Sequence, residues 1–304
     1  MARQARLRIA EGDAFYHLYC RTAGDLGHMP FEREGAAEQF ADFLKFFAGA
    51  YYCDILAWCV MGNHYHIVAR FDEREKRSRE DLEARAKLLY TSAESEKAIK
   101  GWSAEHWQRF EARLHDVSEF MRNLHMAYAR WQNRVFKARG RFWAERFQST
   151  ILMDATAVED CMLYVELNPV RADLVPRPEE WRASSFHLRD MGLGDWMANL
   201  ADLMEAPDEL TALHLYRAKI YSRGAIPSKE GQGAIPEDIL TSEEARGFET
   251  SGIFSKRARH FTRGLVLGSK AAIQDWLERL RNSGRYIRRK NPREAGQGLA
   301  FSLR

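Results

Sequence analysis

The residues best placed to do chemistry are two histidines, His64 and His66, with Tyr65 between them. Side chains on a β-strand alternate between faces, so both imidazoles point to one face of a sheet, while Tyr65 and Ile67 point to the other and pack there. Two neighbouring imidazoles on an exposed sheet face form a two-point clamp for a divalent cation. On its own, such a pattern is most often two histidines on a half-solvated strand. A second group changes the balance. Tyr164 and Asn168 stand four residues apart in a helical stretch, which stacks them on one helix face. A tyrosine hydroxyl, with an ordinary pKa of about 10, is a weak nucleophile. It attacks a phosphodiester only if the phosphorus is made more electrophilic and the developing charge is held, and a cation does both. A tyrosine beside a histidine clamp is therefore a coherent phosphoryl-transfer site. Without that context Tyr164 reads as a packing residue, and Asn168, next to Pro169, as a helix C-cap.

The elements that must position these groups are legible in the periodicity. Phe15 to Cys20 is short and aromatic, a strand pattern. Phe40, Phe43, Leu44 and Phe47 form the apolar stripe of an amphipathic helix. Ile55 to Met61 predicts a second strand, Gly62-Asn63 a turn, and His64 to Ala69 a third strand paired with the second. Residues 73–116 are rich in charge and alanine and predict a helical insertion. Val117, Phe120, Met121, Leu124, Tyr128 and Trp131 stripe another helix, and Arg146 to Leu152 predicts a strand. Asp154 is the expected N-cap of a helix from Ala155 to Leu167, ended by Pro169. The order strand-helix-strand-strand-helix-strand predicts an α+β protein, with a ferredoxin-like (split βαβ) antiparallel sheet and helices on one face.

Length and composition set the frame. The chain has 304 residues, 45% of them apolar and 29% charged, which suits a globular protein with a sizeable core. No apolar run approaches the roughly 18 residues that span a bilayer. The N-terminal residues lack the apolar stretch and cleavage pattern of a signal peptide, so the expected location is the cytoplasm. Cys20, Cys53, Cys59 and Cys161 show no CxxC spacing and read as reduced thiols. The net charge is only +3, but residues 255–304 hold 13 Lys/Arg against 3 Asp/Glu, a local +10 on a body of −7. A basic tail on an acidic body suggests a polyanionic partner, nucleic acid before membrane.

Several ordered segments resemble one family. Met61-Gly62-Asn63-His64-Tyr65-His66-Ile67-Val68 resembles the HUH strand of single-tyrosine transposases, in which U is a bulky apolar residue. Arg141-Phe142-Trp143 and Arg146-Phe147-Gln148-Ser149 resemble the segment before that family's catalytic helix. Tyr164-Val165-Glu166-Leu167-Asn168-Pro169-Val170-Arg171-Ala172 is similar to the signature of the REP-associated tyrosine transposase branch. Gly264 to Lys270 resembles a C-terminal block of longer members. The resemblance implies that Tyr164 is the nucleophile and that His64, His66 and Asn168 hold a divalent metal ion, Mg²⁺ or Mn²⁺. It implies a transposase, a DNA strand transferase that cleaves and rejoins single-stranded DNA near hairpins through a 5′-phosphotyrosine link. Such a ligand set carries no negative charge, so weak metal binding is expected until a DNA phosphate joins it. There are departures. Gly62 replaces a usual proline, which should loosen the turn. Asp173 stands where glycine usually follows, and residues 73–116 are longer than the corresponding loop.

On this reading residues 1–190 are the catalytic domain, and 191–304 a helical C-terminal extension with a flexible linker near 224–237. Within the tail, Ile273, Trp276, Leu277 and Leu280 stripe one more helix. Arg141, Arg146 and Arg171 are candidates for holding the scissile strand. Arg285, Arg288, Arg289 and Lys290 are candidates for tracking phosphates, with Tyr286 available to stack on a base. The expected partner is single-stranded or hairpin DNA, with no membrane; a homodimer and a monomer both stay open. Competing readings are a non-catalytic single-stranded nucleic-acid-binding module, a replication-type HUH nickase, and a metallohydrolase using activated water.

Overall fold

The computed structural model describes residues 13–25, 27–72, 77–227, 231–245 and 266–282, with the backbone of 293–295 and 298–301. In chain order the first elements are β1 (Ala14–Arg21), α1 (Ala36–Ala50), β2 (Cys53–Met61) and β3 (His64–Phe71). The charged insertion folds as α2 (Arg79–Leu89), α3 (Ala93–Lys100) and α4 (Ala104–Leu114). Each begins at a serine, Ser78, Ser92 and Ser103, whose hydroxyl accepts from a backbone N–H in the first turn. Then come α5 (Val117–Val135), β4 (Gln148–Leu152), α6 (Ala155–Glu166), α7 (Asn168–Arg171), α8 (Ser185–Asp190), α9 (Leu200–Met204), α10 (Glu209–Gly224) and α11 (Glu237–Glu244). The C-terminal region adds β5 (Val266–Gly268), α12 (Lys270–Asn282), β6 (Arg293–Ala295) and β7 (Gly298–Phe301).

The sheet order is β2-β3-β1-β4-β5-β7-β6. Its first four strands are antiparallel neighbours in the order of a split βαβ unit, as the periodicity predicts. The α+β class follows. The two crossover helices lie together on one face. Phe40, Leu44 and Phe47 of α1 and Phe120, Met121, Leu124 and Tyr128 of α5 meet Leu18, Tyr65, Ile67 and Ile151 of the sheet in one core. Tyr65 and Ile67 thus point where a period of two places them.

The opposite face is also covered, which the strand-helix order did not announce. Ala157, Val158, Cys161, Met162 and Val165 of α6, with Phe186 of α8 and Tyr216 and Ile220 of α10, pack on Ala57, Cys59, Met61, Val68 and Leu152. The cause is apolar demand: α6 carries more apolar side chains than one stripe can hide, and they bury only against a second layer. All four cysteines are buried thiols within these layers.

The C-terminal stretch is helical in part, but it also supplies strands. β5 pairs in parallel with β4, and the sheet continues through β7 to β6. The expected linker is likewise anchored where it is described. Arg171 donates to the carbonyls of Gly224 (3.3 Å) and Gly233 (3.0 Å), and to Arg223 O (2.6 Å). Ile235 is buried, and its N–H donates to Gly224 O at 3.0 Å. A side chain on Gly233 would start 2.2 Å from Val170 O, so the close approach demands glycine. Asp173, where the resembling family has glycine, adopts φ 55° in the left-handed region that glycine favours.

Candidate active site

The histidine pair sits on β3 against β1. Across that strand pair Tyr19 is opposite His66 and Arg21 opposite His64, while His17 is opposite Val68. Residues His17, Tyr19 and Arg21 alternate along β1, so they share the face that carries His64 and His66. Their rings make a continuous seam. Ring centroids are 5.1 Å apart for His17 and His66, which are near-parallel, and 4.9 Å for Tyr19 and His66. His64 lies edge-on to His66 at 5.1 Å.

α6 brings the tyrosine to this seam. Asp154 caps its start, accepting from Ala157 N–H at 2.8 Å. The same carboxylate accepts from Ser269 N–H, so the cap also ties down the C-terminal strand. The apolar face of α6 lies on the sheet, and Tyr164 reaches over the imidazoles. Its ring is edge-on to His66 at 5.4 Å and to His17 at 6.0 Å. Tyrosine and histidines therefore meet within one chain. The exposed sheet face expected for the imidazoles is not what forms. His66 is 2% exposed and His64 is half-buried, because α6 covers them.

Pro169 does not simply end the helix. α6 stops at Glu166, and Asn168 opens a further turn, α7, in which proline is tolerated at the first positions. Asn168 is thus held one turn beyond Tyr164. Its Nδ2 donates to the Tyr164 carbonyl at 2.8 Å and, more weakly, to Val165 O at 3.4 Å. With the amide nitrogen so used, the carboxamide oxygen is its remaining polar end.

Burial sets the electrostatics. Desolvation, helped by Arg21, lowers His64 to about 4. Desolvation, then the neighbouring His17 and His64, pushes His66 well below its ordinary value. Both are neutral at physiological pH, the form in which imidazole donates an electron pair. Burial raises the Tyr164 hydroxyl well above the usual tyrosine range, with Cys161 and Tyr19 adding and the Asn168 side-chain hydrogen bond opposing. The phenol is protonated at physiological pH.

The histidine nitrogens are already oriented. His64 Nδ1 lies 2.9 Å from Asn63 Oδ1, and His66 Nδ1 lies 3.0 Å from His17 Nε2. Asn63 Oδ1 only accepts, so His64 carries its proton on Nδ1 and its electron pair on Nε2. Among the described residues no three His, Cys, Asp or Glu converge in a metal-holding arrangement. A cation at this site would need a donor of another type beside the imidazoles, and the oxygen of Asn168 is chemically suited to that. The turn before His64 is tight. Gly62 O accepts from Phe31 N–H at 3.0 Å and Asn63 O from Thr22 N–H at 2.9 Å. Glu32 Oε1 stands 2.7 Å from where a Gly62 side chain would begin. Only the flexible ends of Glu32 and Met29 stand that close, so the tight turn accommodates glycine without demanding it.

Of the arginine candidates, Arg141 and Arg146 are exposed. They flank a stretch hydrogen-bonded to the end of β1, through Ala23 N–H to Phe142 O (2.7 Å) and Ala144 N–H to Arg21 O (3.0 Å). Arg171 serves differently: its guanidinium is committed to the three carbonyls named above, a structural brace. Arg285, Tyr286, Arg288, Arg289 and Lys290 lie outside the described residues. The residues that sequence reasoning missed are His17, Tyr19, Arg21 and Asn63. The signal was present: polar residues at every second position of the first strand mark a face that is not simple core.

Among the described residues no helix is long and apolar enough to cross a membrane. The sequence matches no family model and no curated protein. Among solved structures it is similar to one described as a REP-associated tyrosine transposase bound to a REP hairpin. The identity is 16% and the TM-score 0.41, over 64% of this chain and 87% of that one.

Proposed function

We propose that this protein is a metal-dependent single-tyrosine transposase that cleaves and rejoins single-stranded DNA near hairpins, with Tyr164 as nucleophile. The observation that carries the reading is the Tyr164 ring 5.4 Å from His66 within one chain, with His64 beside it. The sequence signature around Tyr164 and Asn168 supports it. In the cleavage step the Tyr164 oxygen bonds to phosphorus, the bond from phosphorus to the 3′ oxygen breaks, and a 5′-phosphotyrosine and a free 3′-hydroxyl result. Rejoining reverses the step with another 3′ end.

His64, His66 and Asn168 would hold a divalent cation such as Mg²⁺ or Mn²⁺. The neutral imidazoles and the carboxamide oxygen fit a hard or borderline ion. When bound, the ion polarises the phosphate and stabilises developing charge. The rest falls to the chain. Asn168 fixes the end of the helix that carries Tyr164, the apolar layer under α6 excludes water, and Arg21, Arg141 and Arg146 supply positive charge for the strand. A binding module without chemistry would carry aromatics on an open sheet face. Here that face holds histidines and lies under α6, which disfavours the alternative.

The test is incubation with single-stranded hairpin DNA and Mn²⁺, followed by mass mapping of DNA-linked peptide. The adduct should map to Tyr164, and the Tyr164→Phe protein should bind the DNA yet form none. An adduct that persists in Tyr164→Phe, or maps elsewhere, overturns the reading. Cleavage without an adduct points to activated water.

A further inference from the structure

His17 is buried, 1% exposed, and has no part in the signature around Tyr164, yet its Nε2 faces His66 Nδ1 at 3.0 Å. When both imidazoles are neutral, nitrogens that meet in this way share one proton between them. If His17 carries it, His66 Nδ1 is the acceptor and His66 Nε2 is protonated and useless as a ligand. If His66 carries it, Nε2 has the electron pair, as His64 already does through Asn63 Oδ1 at 2.9 Å. The two histidines present equivalent nitrogens only in the second arrangement.

We propose that His17 is a positioning residue: its Nε2 accepts from His66 Nδ1–H, fixing the tautomer that leaves Nε2 of His66 to a divalent cation. The proposal rests on the metal-dependent reading above. It uses the usual logic by which a ligand histidine is oriented through its other nitrogen. The ring planes are near-parallel, 14° apart with centroids 5.1 Å from each other, which sets the two nitrogens edge to edge for an in-plane hydrogen bond. The Tyr164 ring, edge-on to both, closes the space above.

Two variants separate hydrogen bonding from packing. His17→Phe keeps a flat aromatic ring and loses the acceptor, whereas His17→Gln keeps an acceptor oxygen. In the metal-free full-length protein, nitrogen NMR should show His66 protonated at Nδ1 in the wild type and in His17→Gln. In His17→Phe that preference should be lost with little change in melting temperature. Mn²⁺ titration should show affinity falling about 10- to 100-fold in His17→Phe and recovering to within about threefold in His17→Gln. A wild-type His66 protonated at Nε2 overturns the proposal, as does an equal loss of Mn²⁺ in both variants. Neither readout requires DNA cleavage. Failure to form a phosphotyrosine would therefore sink the functional reading while leaving the tautomer assignment measurable by itself.

Discussion

The two faces of the sheet are built from the same strands and do opposite work. On one face Tyr65 packs against Phe40 with ring centroids 4.7 Å apart and hydrogen-bonds His125, whose ring stacks on Trp143 at 4.1 Å. This is an aromatic core in which Tyr65 and the Trp143 indole N–H both find a partner in His125. On the other face, one residue away in either direction, His64 and His66 join His17 and Tyr19 in a polar seam beneath Tyr164. Both faces are buried, so burial does not distinguish them. The difference is what burial achieves: shape on the first, and neutral imidazoles with a protonated phenol on the second. Strand alternation lets one peptide, His64-Tyr65-His66, serve both at once.

The sharpest way to break the comparison is to damage each face alone. His66→Ala should lower phosphotyrosine formation by about 10³-fold or more, the loss of about 4 kcal/mol of transition-state stabilisation. Chemical denaturation should show only about 1–2 kcal/mol of lost stability. Phe40→Ala should do the reverse, costing about 3–5 kcal/mol in stability with adduct formation per folded molecule unchanged. Equal effects of the two changes on both measurements would erase the distinction.

The next test concerns Glu166, fully buried on α6 two residues beyond Tyr164. Burial pushes its carboxyl up to about 7, opposed by Ser185, Phe186 and Arg189. Hydrogen-bond counting agrees. Ser185 Oγ accepts from Trp58 N–H at 2.7 Å and lies 3.1 Å from Trp58 O and 2.6 Å from Glu166 Oε1. One hydroxyl proton cannot serve both oxygens, but a protonated Glu166 donating to Ser185 satisfies all three contacts. Because the folded pKa lies above the ordinary 4.5, the contribution is full below about 4.5 and is lost as pH rises through about 7. Stability should therefore fall by on the order of 3 kcal/mol across that window from this group. Glu166→Gln should flatten the slope in urea titrations at several pH values, and an unchanged slope would refute the assignment.

The smallest effect is expected at Arg171. Arg171→Met should cost about 2 kcal/mol by stranding carbonyls at Gly224, Gly233 and Arg223. It should raise hydrogen exchange around 224–235 while leaving DNA affinity within about twofold. A large loss of DNA binding with unchanged stability would instead return this arginine to the strand-holding group.

Much of this arrangement was legible in the residues. Turn dipeptides and strand patterns located β1 to β4, and Asp154 marked the start of α6. From the sequence the first strand reads as merely aromatic, because Phe15 and Tyr16 dominate its pattern and hide the alternation of His17, Tyr19 and Arg21. The composition of the segment after Gly224 predicts a linker, because Gly and Pro usually mean a break in structure. Here the glycines allow close approach to a buried arginine, and composition does not distinguish the two uses.

The sequence by itself determined that His64 and His66 share a face, that Tyr164 and Asn168 share a helix face, and that the strand order suits a split βαβ sheet. These follow from local periods of 2 and 3.6 residues, which every stretch of chain obeys on its own. Only the tertiary structure decided that α6 covers the histidines, that His17 stands against His66, and that the C-terminal strands extend the same sheet. Such contacts join residues far apart in the chain. They depend on which buried surfaces fit together, and no local period encodes that.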